Sequence, residues 1–201
     1  GLVLMVASAP GRVPATLRSR CRILRLRPLA ETEVMAVIER RQPEIEPEAR
    51  LALARLAEGS PGKALALAGA DGLELYREVA ALFTALPRPD PARMSSLADR
   101  VGGSAGAAAY AILTRAVGWW LTRGVNAGAG VAPAAADIVA GESETLRRLA
   151  RTAPLDRWIE VWDNLNRLVT QAEALTLDRK QVVLNLFSSL ESAAASAHRH
   201  G

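Results

Sequence analysis

The sequence predicts a mainly α-helical protein in which two strand-like runs precede three short helices and a longer all-helical region. Three observations carry that expectation. Half of the 201 residues are apolar but only 4% are aromatic, so a core has to be built from Ala, Leu and Val, and Ala and Leu have the strongest helix propensities. From Ala30 onward the apolar residues recur at helical spacing. Before Ala30 they fall in two runs of strand length.

Leu2 to Ala7 is a continuous apolar run, the pattern of a strand buried on both faces of a parallel sheet. Ser8 to Pro14 carries turn signals, with Pro10-Gly11 and then Pro14. Cys21 to Arg27 sets Leu and Arg in alternation after Ile23, as in a half-exposed strand, and Pro28 ends it. Two strands alone make no stable sheet. Either their partners lie upstream, so that the chain begins inside a domain, or this end is disordered or rearranged.

Val34, Val37, Ile38 and Arg41 mark a first helix, with Glu31 and Glu33 favourably placed in its first turn. Pro43 ends it. Pro47 opens a second helix through Leu53, Leu56 and Ala57. Gly59 closes that helix, Ser60 is an N-cap, and Pro61 starts a third helix to about Ala68. A boundary falls at Gly69 to Gly72. Longer helices are expected over 72–86, 91–101, 104–123, 142–152, 155–176 and 178–197. Residues 86–91 form a Pro-rich connector, and 124–141 a Gly/Ala-rich loop in which Ala134 to Val139 could make one turn of helix. The last helix presents Val182, Val183, Leu186, Phe187 and Leu190 on one face, and the tail from Ser196 should fray.

The net charge is +4 and the pI about 10. Scattered arginines supply the excess, which is compatible with nucleic acid nearby but is not a footprint. Cys21 is the single cysteine, which excludes an internal disulfide and a multi-cysteine zinc site and fits a reducing cytoplasm. Ala105 to Leu121 is long and apolar, but Thr114 and Arg115 interrupt it, so a buried helix is expected and no membrane partner. The first residues lack the basic region of a signal peptide.

The most informative stretch is Pro14-Ala15-Thr16-Leu17-Arg18-Ser19-Arg20-Cys21-Arg22. Placed after an apolar strand and a Pro/Gly loop containing Arg12, and before a second strand and three short helices, it resembles the Ser-Arg-Cys box of bacterial clamp-loader subunits. These belong to the AAA+ class, and the segment looks most like their delta-prime branch. The resemblance is specific from Leu4 to about Leu67 and only architectural from Leu73 onward. It implies that Arg20 is an arginine finger acting in trans on ATP bound by a neighbouring subunit, with Ser19 and Cys21 shaping its turn. Arginine suits that task. Charge spreads over the γ-phosphoryl oxygens during transfer, and a planar guanidinium can pair with two of them at once. Without that context, Arg18, Arg20 and Arg22 would merely solvate the start of a strand.

Gly59-Ser60-Pro61-Gly62-Lys63 is not a phosphate-binding P-loop. Ala57 stands where the first Gly should be and Ala64 where Ser or Thr should be, and the run follows a helix instead of a strand. In the resemblance this is the third helix of the lid, where ATP-binding subunits carry a sensor arginine after Gly-Ser-x. Gly62 holds that place here, beside Lys63, which favours a subunit that does not sense its own nucleotide. Ala7 and Ser8 compete for the polar sensor position at the end of the first strand. Trp119, Trp120, Trp158 and Trp162 read as helix packing or an oligomer interface in preference to base stacking. Asp156, Glu160 and Asp163 read as a solvated helix face. His198 and His200 have no carboxylate or cysteine nearby and make a poor metal site, and no Ser/His/Asp set can be assembled.

The resemblance therefore implies three parts. Residues 1–27 end an AAA+ α/β core, 28–70 form a three-helix lid, and 71–201 form a helical collar for oligomerisation. It implies a subunit of the DNA polymerase III holoenzyme, a nucleotidyltransferase, that helps place the sliding clamp on primed DNA. Partners would be gamma/tau-type and delta clamp-loader subunits, and through them the clamp and DNA. No cofactor is expected on this chain, because ATP would be held by the partner subunits and no Walker segment is present. Two rivals remain: a fragment of the gamma/tau ATPase itself, and a basic helical DNA-binding module.

Overall fold

In the computed structural model of the chain, residues 3–7, 9–103, 106–131, 136–175 and 178–195 are described. Among them every regular element is helical. A single 3₁₀ turn, Pro10–Arg12, precedes the four-residue helix α1, Ala15–Arg18. The expected strands are not formed among the described residues. Residues 3–7 and 22–30 have no regular structure and are exposed, with Leu4, Val6, Leu24 and Leu26 all more than four-fifths open to solvent. The physical reason is the one that limits any isolated pair of strands. No third strand among the described residues offers them a ladder. Leu2 and Ser8 lie outside the described residues.

Three helices follow: α2 Glu31–Arg41, α3 Pro47–Leu56 and α4 Pro61–Gly69. Each starts where its sequence provides a cap or a first-turn proline. Glu33 reaches back to accept from the Ala30 N–H at 2.8 Å, which is half of a capping box. Pro47 and Pro61 open the first turns of α3 and α4, where a missing N–H costs nothing. The Ser60 hydroxyl accepts from the Lys63 N–H at 3.4 Å, so the Gly-Ser-Pro-Gly-Lys run is a capped helix start. These helices enclose their own small core of Val34, Ile38, Leu53, Ala54, Ala57, Ala64 and Leu67.

Gly59 fixes how the preceding chain lies on this unit. Its φ is +78°, and a Cβ there would sit 2.5 Å from Pro28 Cβ and 2.7 Å from the Leu29 carbonyl. The Leu29 N–H donates to the Gly59 carbonyl at 2.9 Å. Pro28 and Leu29 are thereby pinned across the α3–α4 turn.

The remaining helices are α5 Gly72–Ala85, α6 Pro91–Val101, α7 Ala107–Gly128, α8 Glu142–Ala150, α9 Leu155–Leu175 and α10 Arg179–Ala195. Asp90 and Asp178 cap α6 and α10, their carboxylates accepting from the N–H groups of Ala92 and Lys180 at 2.9 Å. Helix α7 is the central strut and contacts α5, α6, α8 and α9, while α10 closes against α6 and α9. Trp120 lies at the middle of this second core, 1% exposed and stacked on Phe83 with ring centroids 4.9 Å apart. Leu56 and Ile112 pack against both cores.

The apolar stretch after Gly106 is a buried helix, and no described helix is long and apolar enough to cross a membrane. Helix α7 departs from expectation at its end, continuing through Gly124 to Gly128 where a loop was expected. A helical glycine costs about 1 kcal/mol relative to alanine. At Gly128 the absent side chain makes room for a neighbour, whereas at Gly124 a Cβ would be in ordinary contact. Leu146 comes within 3.6 Å of a Cβ placed on Gly124, and Leu155 within 3.2 Å of one on Gly128. Residues 136–139 are not helical. Ala134, Ala135 and the tail from Ser196, with both histidines, lie outside the described residues.

Candidate functional site

The arginine segment folds as one helical turn and a reversal, closed by short-range bonds alone. The Ser19 hydroxyl donates to the Thr16 carbonyl at 3.2 Å, the Arg20 N–H to Leu17 at 3.1 Å and the Cys21 N–H to Arg18 at 3.4 Å. The Arg18 guanidinium donates to the Pro10 carbonyl at 3.4 Å, tying α1 to the 3₁₀ turn before it. Arg18, Ser19, Arg20, Cys21 and Arg22 are all exposed, and Cys21 is a free thiol. Ser19 is thus bonded to the turn that carries Arg20. The Arg20 side chain has no hydrogen bond or ion pair among the described residues. Its guanidinium, with five donors, is open to a ligand from outside the chain.

A second polar constellation, absent from the sequence reading, is buried between α5, α7 and α8. Glu142 is 1% exposed and accepts four bonds. Tyr76 Oη donates to Oε1 at 2.8 Å, the Val139 N–H to Oε1 at 2.8 Å, Arg123 Nη1 to Oε2 at 2.7 Å and the Ile138 N–H to Oε2 at 3.1 Å. Arg123 also donates to Asp137 Oδ1 at 3.2 Å and lies 4.3 Å above the Trp119 ring. Asp137 in turn accepts from the Ser143 N–H at 3.1 Å and from the Ser143 hydroxyl. Its backbone carbonyl takes a 2.7 Å bond from Arg55, on α3 of the three-helix unit.

These contacts set the ionisation of two groups. Burial is the main influence raising the Tyr76 phenol well above its ordinary range, and the facing Glu142 carboxylate adds to it. Burial would also raise Asp137. The bonds from Ser143 and the Arg123 guanidinium outweigh it and hold that carboxyl below the usual range. A carboxylate that accepts four donors and pairs with an arginine is fully satisfied. Its role is to fix the α7–α8 connection, with no atom left over for acid–base chemistry.

Beside this network, a groove of about 1120 Å³ runs along α7 between α9 and the three-helix unit. Ile112, Trp119 and Asn126 mark its course on α7, Leu165 and Val169 its α9 wall, and Leu56 the other side. Trp162, 39% exposed, stands at its edge, with the indole N–H donating to Thr122 Oγ1 at 3.2 Å. Trp120 and Trp158 are core residues, whereas Trp119 and Trp162 line the groove. Asp156, Glu160 and Asp163 are exposed. Among the described residues no cluster of His, Cys, Asp and Glu has the makings of a metal site. The structure does not bring Arg20 to the groove or to the Glu142 network.

No protein-family model matches the chain, and no curated protein matches it.

Proposed function

We propose that this chain is a clamp-loader subunit of the delta-prime type, helping to load the sliding clamp on primed DNA and supplying Arg20 in trans to ATP on a neighbouring subunit. The observation that carries the reading is the turn at Thr16–Cys21. Ser19 is bonded back into the turn, and the Arg20 guanidinium is left exposed and free of partners within the described residues. An arginine without an intramolecular task, on a turn closed by its neighbours, has the properties a trans finger needs. The order of the Ser-Arg-Cys segment, three short helices and a longer helical bundle supports the same reading.

On this proposal the residues before Pro28 complete an AAA+ core, α2–α4 form the lid, and α5–α10 form the collar that meets gamma/tau-type and delta subunits in the cytoplasm. ATP belongs to those partners. The test is Arg20→Ala in the assembled complex, read as DNA-stimulated ATP turnover with assembly checked by gel filtration. Assembly should persist, while turnover at the site facing Arg20 falls by about 10³-fold or more. Unchanged turnover in a confirmed complex removes the finger assignment.

A further inference from the structure

The groove along α7 has a feature that its place in the fold does not explain. Among its lining residues are four arginines, Arg55, Arg115, Arg123 and Arg147, against one acid, Glu58. Two of the four are occupied. Arg55 pairs with Glu31 and donates to Asp137, and Arg123 is held by Glu142 and Asp137. The other two are exposed and have no carboxylate within ion-pair distance among the described residues. Arg147 spends only its Nε, on the Ser143 carbonyl at 3.0 Å. Arg115 makes no bond at all within those residues. Glu58 does not answer them, since its carboxylate lies 4.0 Å from Lys63.

The shape narrows the occupant. The α7 lining is broad, and within it Ile112, Arg115, Trp119, Thr122 and Asn126 follow one another at three- or four-residue spacing along the helix. They span about 21 Å at about 1.5 Å per residue. That is the length of a short helix lying alongside α7. The walls are apolar where Leu165, Val169 and Leu56 contribute, and the unpaired cations are solvent-exposed. A nucleic-acid strand is a poorer fit. One face of Trp119 is covered by Arg123 at 4.3 Å, and Tyr76 meets it edge-on at 5.6 Å, so Trp119 is not an open platform for a base, and Trp162 at the edge is a single ring tied by its N–H to Thr122.

We propose that this groove receives an amphipathic helix of a partner protein, one whose apolar stripe is flanked by Asp or Glu residues that pair with Arg115 and Arg147. The recognition mode is a helix laid in a groove, with rim charges setting orientation and partner choice. The inference does not rest on Arg20. It concerns a different face and would stand if the nucleotide reading failed.

The test is a selection from a displayed library of helical 18-residue peptides with randomised faces, using the full chain as bait, followed by titration of the enriched peptide. Enriched sequences should carry apolar residues at i, i+3, i+4 and i+7 with acids beside them. Arg115→Glu with Arg147→Glu, both on exposed side chains, should weaken the selected peptide by about tenfold or more. A peptide with Lys in place of its acids should regain affinity for that double variant. Enriched sequences without acids, or titrations indifferent to the charge reversal, overturn the proposal. So does salt-dependent binding of a single-stranded oligonucleotide that the same double variant abolishes. Sedimentation showing a dimer of the free chain that the double variant dissolves would give the groove to a second copy and overturn it as well.

Discussion

Replacing Glu142 by Gln removes the charge at the centre of the buried network while nearly keeping its volume. In the native arrangement the carboxylate takes two backbone N–H groups, the Tyr76 hydroxyl and the Arg123 guanidinium, all at 2.7 to 3.1 Å. An amide offers one acceptor oxygen and turns two N–H donors toward other donors. Arg123, whose side chain is only 11% exposed, then loses its best partner. Breaking a buried ion pair from one side costs about 3–5 kcal/mol, which for a chain of this size is a fall in Tm of about 6–20 °C. All four tryptophans lie on α7 and α9, so their fluorescence reports the six-helix bundle and not the three-helix unit. Urea unfolding followed at that signal should move to lower midpoint, and circular dichroism should show the three-helix unit as a separate or unshifted part. A second variant, Arg123→Met, should be costly alone, yet the double variant should cost clearly less than the sum, because it leaves neither Glu142 nor Arg123 as a buried charge without its partner, and only the half-buried Asp137 loses a bond. A loss below about 1 kcal/mol for Glu142→Gln, or full additivity in the double variant, would refute the reasoning.

Other substitutions probe separate joints. Arg148 closes the end of α5, donating to the Leu86 carbonyl at 2.8 Å and the Thr84 carbonyl at 2.7 Å; Arg148→Met should lower bundle stability by about 1–3 kcal/mol in the same fluorescence assay. Gly59→Ala forces a Cβ into Pro28 at a positive φ, and should destabilise the three-helix unit by about 2 kcal/mol or more, seen by circular dichroism while tryptophan fluorescence stays put. The depressed Asp137 carboxyl binds its proton less readily folded than unfolded, so its stabilisation is complete above the unfolded value near 4 and is lost as pH falls through the lower folded value. The stability gap between the native chain and Asp137→Asn should therefore narrow in acid below about pH 4 and stay constant at neutral pH, as measured by urea midpoints.

The helix starts were legible because each is written in one or two local residues. Ser60-Pro61, Asp90-Pro91 and Asp178 act on the backbone beside them, and the structure begins α4, α6 and α10 where they stand. The end of α7 was not legible. Gly124 and Gly128 argue for a loop by propensity, whereas the helix end packs against Leu146 and, closely at Gly128, against Leu155, contacts that local propensity does not contain. Glu142 was missed for a similar reason. Glu142 and Glu144 are both acids in the first turn of α8, indistinguishable by charge patterning, yet one is buried and the other exposed. The one local hint is Gly141, which precedes Glu142 and takes a φ of +86° that favours glycine. The strand pattern at Cys21–Arg27 shows the opposite failure. Alternation states what a strand would look like, but a ladder needs partners that periodicity does not supply.

The central claim is membership of a clamp loader, and assembly tests it most directly. Light scattering after gel filtration, on the protein mixed with gamma-type and delta subunits from the same organism, should show co-elution at the mass of a hetero-pentamer. Elution apart from both subunits would contradict the account.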